Sequence, residues 1–396
     1  MLLLILGLVL FVGLVVIHEF GHFIMARRSG VDIEEFGIGF PPALWRKRIH
    51  SRKGNYDFTI NALPLGGFVR MKGETDADTA KGTFGAASLT AKTKIMAAGV
   101  VMNLLTALVL LTGLALAGMP QIIQNQFTVK SDTKVIAADT VIMEVEKNSP
   151  ADKAGLRSGD KIWSLTAVKG SVRGVTQQLT APQQLSGYTS GFAGQTVIIR
   201  YERSGRTNDT AATLLTKQVV DASQNTKDPK GYLGVVADQS KLSLQRSTWS
   251  APVVAVGLAG QITGLTFQGL GKAVAGLGGL IAGATTGNRE ARQHGQTQAS
   301  SQVSGPLGIF FILKAGGVLG LRFILLVIAI ISLTLAIMNI LPIPALDGGR
   351  LWITLIAHAV RRPLNRRQEE LINGIGFAFL MSLIVLITIV DVKRFF

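Results

Sequence analysis

Val16-Ile17-His18-Glu19-Phe20-Gly21-His22-Phe23 stands near the end of an apolar run that begins at Leu2. On a helix, histidines four residues apart share one face, about one turn from each other. That spacing suits two positions of one tetrahedral zinc ion, and neutral imidazole is a preferred zinc ligand. Glu19 lies about 100° further round, placed to reach an attacking water without itself being a ligand. In a soluble helix such residues can be hydrogen-bonded and nothing more. Here the flank from Met1 to Ile17 is apolar almost without break. Ionisable groups at membrane depth are costly unless paired or metal-bound, so they default to function.

The wider composition agrees with a membrane setting. The chain has 396 residues, 48% of them hydrophobic, and a mean hydropathy of +0.38, more apolar than one soluble domain. A formal charge of +16 would suggest nucleic acid in a soluble protein. In a membrane protein it reads as basic cytoplasmic loops, and no nucleic-acid partner is expected. The absence of cysteine removes thiolate zinc sites, disulfides and cysteine nucleophiles, leaving His, Asp or Glu to hold a metal. Met1 to Ile17 lacks a basic leader and a small-residue cleavage site, so an uncleaved first span is expected.

In chain order, residues 1–26 read as the first transmembrane helix, stopped by Arg27-Arg28. Residues 27–94 form a basic loop that includes Arg46, Lys47, Arg48, Arg52 and Lys53, and the positive-inside rule makes it cytoplasmic. Alternation in Tyr56–Ile60 and Phe68–Met71 around a Pro64–Gly67 turn predicts a β-hairpin or small sheet. Its edge near the metal can take an extended peptide by strand addition, although a solvated loop has the same composition. Residues 95–118 form a second span. Asn103 within it is either satisfied by a neighbouring helix or part of the site.

Residues 119–250 are soluble in character. A strand at Val141–Val145 precedes Ser149-Pro150-Ala151-Asp152-Lys153-Ala154-Gly155-Leu156, and Gly159-Asp160 turns into another strand. This order looks like a PDZ domain, whose groove binds extended peptide. Thr196–Tyr201, the Ser204-Gly205 turn and Thr213–Gln218 predict a later hairpin. No role is evident for 165–193. Residues 251–317 combine a glycine-rich moderately apolar stretch with a polar linker containing His294. The apolar stretch can be a span, an interfacial helix or a re-entrant piece.

Residues 318–349 hold the third span and, at its far end, Asn339-Ile340-Leu341-Pro342-Ile343-Pro344-Ala345-Leu346-Asp347-Gly348-Gly349. Broken helix at membrane depth lines a cavity or is buried in protein. Asp347 can cap the helix expected from about Arg350. With no cysteine available, it is also the best third ligand. Residues 350–370, with Arg361, Arg362, Arg366 and Arg367, form a second cytoplasmic loop, where His358 reads as solvated, as does His50. Residues 371–396 contain the last span. His18, His22 and Asp347 reach the same depth only if 251–283 makes no net crossing, so that stretch is assigned to the membrane surface or a re-entrant loop. The N-terminus, C-terminus and residues 119–250 then lie outside, with the site near the cytoplasmic face.

These motifs, in this order, resemble the bacterial site-2 proteases of the regulator-of-sigma-E-protease type, in a form with one PDZ domain. The resemblance is carried by His18–His22, Pro64–Val69, Ala98–Asn103, the string from Ser149, Ser304-Gly305-Pro306, and Asn339–Gly349. It implies a polytopic α-helical membrane protein of the bacterial inner membrane. Four transmembrane helices, a cytoplasmic-side β-hairpin or sheet and an extracytoplasmic PDZ-like domain are expected. It implies that His18, His22 and Asp347 bind Zn2+ and that Glu19 is the general base. Asn103 and Asn339 would position substrate, and Gly66 and Gly67 would align its backbone. Substrates would be single-span membrane proteins such as anti-sigma factors, or remnant signal peptides, with a trimmed end held by the PDZ-like domain. Val100 stands where the family usually has proline, and Thr334 where asparagine is common. A membrane scaffold or metal carrier would use the same His/Asp site. Glu19 separates the two, because transport needs ligands and hydrolysis needs a base that is not one.

Overall fold

The computed structural model describes residues 2–51, 54–75, 77–123, 125–169, 172–179, 183–224, 229–286, 308, 310–313, 320–362 and 365–395. Arg52, Lys53, His294 and the Ser304-Gly305-Pro306 motif lie outside them. The chain divides into two units, Met1–Leu114 with Pro252–Phe396, and Ala115–Ala251.

In the first unit, α1 (Leu2–Arg28) is apolar on nearly every face as far as His18. It stops where Gly30 takes φ +77° and the Val31 N–H reaches back to the Ala26 carbonyl at 3.0 Å. That is the left-handed closure glycine permits. The strands β1 (Ile33–Ile49) and β2 (Tyr56–Met71) fold against each other beside it. Ile33–Ile38 runs antiparallel to Gly67–Met71, and Ala43–Ile49 runs antiparallel to Tyr56–Asn61, with Glu35–Ile38 also lying beside Asp57–Ile60. The expected small sheet is therefore present, and it is larger than one hairpin. Inside it, buried Glu35 accepts from Thr59 Oγ1 at 2.8 Å and meets Arg70 at 3.1 Å, so the buried carboxylate is compensated.

The second long helix, α2 (Leu89–Ala117), starts six residues before the expected boundary. It crosses α1 closely: a Cβ placed on Gly21 would stand 2.6 Å from the Ala98 carbonyl oxygen. Only a glycine admits that approach, the usual route to tight helix contact in lipid. One apolar cluster joins Phe23, Ala26, Phe36, Phe84, Ile95 and Leu351. Another joins Leu14, Leu313, Ile324 and Ile328, with Leu110 packed on it.

The second unit opens with β3 (Met119–Pro120) and β4 (Lys134–Val145). Then come the short helix α3 (Pro150–Lys153), β5 (Lys161–Lys169), β6 (Val172–Gln178) and α4 (Gln183–Gly191). It closes with β7 (Thr196–Arg203), β8 (Arg206–Thr213), α5 (Lys217–Ser223) and β9 (Val235–Arg246). They form a seven-stranded sheet ordered β3-β9-β4-β5-β7-β8, with β6 on β5. Ser149 caps α3 by accepting from the Asp152 N–H at 3.2 Å, as the serine-proline start predicts. The stretch 165–193 supplies β6 and α4. The later hairpin returns earlier than expected: Ser204 and Gly205 both take positive φ, and Arg203 pairs directly with Arg206. A two-residue turn fixes the register at once. The return strand Arg206–Thr213 was hidden by its polarity, and Lys217 onward is helix.

Back in the first unit, α6 (Ala251–Thr286) is one continuous helix of 36 residues. It is followed by α7 (Leu321–Ile340), α8 (Asp347–Ala359) and α9 (Arg366–Phe395). Among the described residues, five helices are long and apolar enough to cross a membrane, α6 among them. Length and composition thus admit one more span than the four expected.

Candidate metal centre

His18 and His22 project from one face of α1, both buried. Asp347 is the first residue of α8, and Leu346 holds the N-cap position before it. Asp347 Oδ2 lies 2.8 Å from His18 Nε2 and 3.1 Å from His22 Nε2. The two Nε2 atoms are 3.2 Å apart.

The chain reverses sharply to deliver Asp347. Ala345 sits at φ +72°, a region costly for a residue with a side chain. A Cβ on Gly348 would meet the carbonyl oxygens of Leu341 and Asn339, and one on Gly349 that of Ile343. The glycine pair is thus the condition for folding the broken segment tightly enough to bring Asp347 to the histidines.

The tautomers are set from behind. His22 Nδ1 lies 2.7 Å from the Ile95 carbonyl oxygen, so Nδ1 carries a proton, and in the neutral ring the lone pair is then on Nε2. His18 Nδ1 lies 3.2 Å from the Asn103 amide, and Asn103 Oδ1 is buried without a partner. A half-turn of that amide lets Oδ1 accept from His18 Nδ1–H and removes the orphan. Both rings then turn Nε2 to the same point, beside Asp347 Oδ2. Ligand atoms of a tetrahedral zinc site lie about 3.3 Å apart, close to the triangle found. Among the described residues, His18, His22 and Asp347 are the one group of three able to hold a metal ion.

Glu19 stands beside the triangle and outside it. The Val69 N–H lies near its carboxylate, and a Cβ on Gly67 would lie 3.7 Å from Glu19 Cγ. The Gly67–Val69 strand therefore runs over Glu19. Gly66, at φ +147°, approaches Val15. Asn339 Nδ2 is 3.5 Å from His18 Nε2, at the margin of the site. His50 and His358 are both exposed and lie outside it.

Gly99 carries a constraint that sequence reasoning did not assign. A Cβ there would stand 2.5 Å from both His18 Cε1 and His22 Nε2. Ser332 was also missed; its hydroxyl donates to the Asn103 carbonyl at 2.8 Å and ties α7 to α2. Only the short Ala98–Asn103 stretch, with its glycine, hinted at the first.

Comparison with known proteins follows the same lines. A profile described as peptidase family M50 matches residues 6–383. Zinc metalloprotease RasP of Shouchella clausii is 26% identical, covering 98% of this chain and 98% of that protein. Regulator of sigma E protease of Haemophilus influenzae is 25% identical over 96% of each chain.

Proposed function

The chain belongs to peptidase family M50, and on that footing we propose that His18, His22 and Asp347 hold its zinc and that Glu19 is the general base. The protein is an intramembrane zinc metalloprotease of the site-2 class, in a multi-pass membrane setting. The observation that carries the residue assignment is the convergence of three ligand atoms within 4.8 Å, with Glu19 adjacent and not among them.

When bound, zinc supplies Lewis acidity at the scissile carbonyl and acidifies the attacking water. The remaining work falls to this chain. Asn103 and the Ile95 carbonyl hold the two imidazoles in the tautomer that binds metal. Glu19, lying beside the Gly67–Val69 strand, takes the proton from water and passes it to the leaving amine. A transmembrane substrate hides its carbonyls in helical hydrogen bonds, so it must unwind before attack. The strand through Gly66 and Gly67 offers replacement partners and aligns the unwound backbone. Asn339, at the site margin, contacts substrate. Asn103, packed behind His18, acts on substrate through that ring.

A Cβ on Gly7 would lie 3.5 Å from Ile324 Cγ2, while His18 meets Asp347, so α1 and α7 run parallel. Gly21 meets Ala98 and Leu14 shares its cluster with Leu110, so α2 runs antiparallel. The end of α2 and the start of α7 therefore share one membrane face, and an even number of crossings separates them. Lys272, exposed near the middle of α6, disfavours a crossing there. We place α6 at the outer interface, giving four spans, with the termini and residues 119–250 outside a bacterial plasma membrane. Arg46–Arg48 and Arg361–Arg362 then lie in the cytoplasm.

The second unit, with capped α3 and its strand order, supports a PDZ-like role in receiving a peptide end trimmed outside. Substrates are single-span membrane proteins, anti-sigma factors or remnant signal peptides among them. The test compares the purified protein with Glu19→Gln for bound zinc and for cleavage of a detergent-solubilised single-span substrate. Zinc in both, with cleavage lowered by about 10²–10⁴-fold in the variant, is expected. Zinc in both with equal cleavage removes Glu19 from the mechanism, and absence of zinc from both overturns the metal site.

A further inference from the structure

The chain that leaves α2 folds back at once. Ser247, 1% exposed, donates its N–H to the Ala115 carbonyl in the last turn of α2 at 2.8 Å. Its hydroxyl lies 2.8 Å from that of Thr133, and Arg246 Nε donates to the Leu116 carbonyl at 3.0 Å. Met119 and Val135 pair with Gln245 from opposite sides. The Asp132 carboxylate accepts from Thr248 and Ser250. Residues 119–135 are therefore pinned around 244–250, which lead directly into α6 at Ala251. The chain enters and leaves the second unit at this one place, and the loop from Pro120 to Lys134 stays beside it.

Leu116, Ile122, Phe127, Val135 and Trp249 are exposed on this base, Val135 at 60% and Trp249 at 69%. A single exposed apolar side chain is ordinary. Five gathered around one short segment form an apolar surface, the mark of an interaction site. What covers it is indicated by α2, which is long and apolar enough to cross a membrane and ends at Ala117, beside Leu116. A tryptophan next to the end of a span belongs at the boundary between headgroups and acyl chains. Charge agrees: Lys130, Lys134 and Arg246 are exposed. Asp132, the sole acidic residue of 115–135 and 244–251, is held by Thr248 and Ser250. We propose that the base of the second unit docks on the membrane face where α2 emerges. Ile122, Phe127, Val135 and Trp249 enter the headgroup–acyl boundary, and the three cations meet anionic headgroups. The unit is then held down by lipid as well as by its two chain connections. The inference needs α2 to span the membrane and does not depend on the protease reading.

The test uses the full chain, which has no cysteine, with one introduced thiol at a time carrying an environment-sensitive fluorophore. Trp249 adjoins α6 and stays near lipid in any case. Phe127→Cys and Val135→Cys therefore decide, ten and eighteen residues beyond Ala117. Val175→Cys on β6 and Val219→Cys on α5, exposed elsewhere on the same unit, are the references. Each labelled protein is placed in vesicles of phosphatidylcholine, with or without phosphatidylglycerol, and an unchanged unfolding temperature checks its fold. Lipid spin-labelled near the headgroup should quench the fluorophore at 127 and 135 at least about twofold more than at both references, and more strongly with phosphatidylglycerol present. These vesicles hold no other protein, so lipid alone accounts for such quenching. Quenching at 127 and 135 no stronger than at the references overturns docking on the membrane. Quenching indifferent to phosphatidylglycerol overturns the part given to the cations.

Discussion

At Gly99 the decisive property is a missing atom. Any side chain there must occupy space within 2.5 Å of His18 Cε1 and His22 Nε2, and helix backbone and close-packed rings leave little room to yield. Gly99→Ala is therefore expected to lose zinc almost completely. Gly113→Ala, on the same helix with nothing within 4 Å of its Cβ position, keeps it. Metal analysis of the two purified variants decides the matter; full zinc in Gly99→Ala would refute the close packing. The contrast with His18, Glu19 and His22 explains what the sequence discloses. Ligation demands particular atoms at a particular period, so the motif is visible in one line of text. Gly99 answers to a demand for emptiness set by another helix, and a lone glycine looks the same whatever its reason. Asn103 falls between: a polar residue inside an apolar span is visible in the text, but its partner, His18 Nδ1, needed three dimensions.

Elements were legible where their pattern is local. The apolar spans, the Ser149–Leu156 turn of helix and the alternation around Pro64–Gly67 all appear near their expected places. Arg206–Thr213 was overlooked because one exposed face leaves a strand almost without apolar residues. The Thr248–Ser250 turn at the end of the second unit was illegible for another reason: its partner is Asp132, far away in sequence. Asp132 Oδ2 accepts from the Thr248 N–H at 2.7 Å and from Ser250 Oγ at 2.6 Å, and Oδ1 accepts from the Thr248 hydroxyl. The Ser250 and Thr248 hydroxyls hold this carboxyl well below the usual carboxylate range. A depressed pKa stabilises the fold fully above the unfolded value of about 3.9, and the gain is lost as pH falls below it. Asp132→Asn should thus lower the unfolding temperature at pH 7. The gap to wild type should narrow as pH drops below about 4. A gap independent of pH between 7 and 3, in thermal unfolding of the two proteins, would assign the effect to packing and not to charge.

For the whole molecule, helix direction is the constraint that composition lacks. By apolar length alone α6 qualifies as a span, and charge alone places only the basic loops. The pairing of Gly7 with Ile324 and His18 with Asp347 requires α1 and α7 to point the same way. A single extra crossing by α6 would reverse α7 and carry Asp347 to the face opposite the histidines. The absence of cysteine makes this directly measurable, since each introduced thiol is the one reactive site. Lys217→Cys in the second unit, Thr286→Cys at the end of α6 and Ala359→Cys at the end of α8 sample the three positions that matter. A membrane-impermeant maleimide should label the first two in intact spheroplasts and the third only after the membrane is opened. Labelling of Thr286→Cys from the cytoplasmic side would make α6 a span, and the parallel packing of α1 and α7 would then require a second crossing before Leu321.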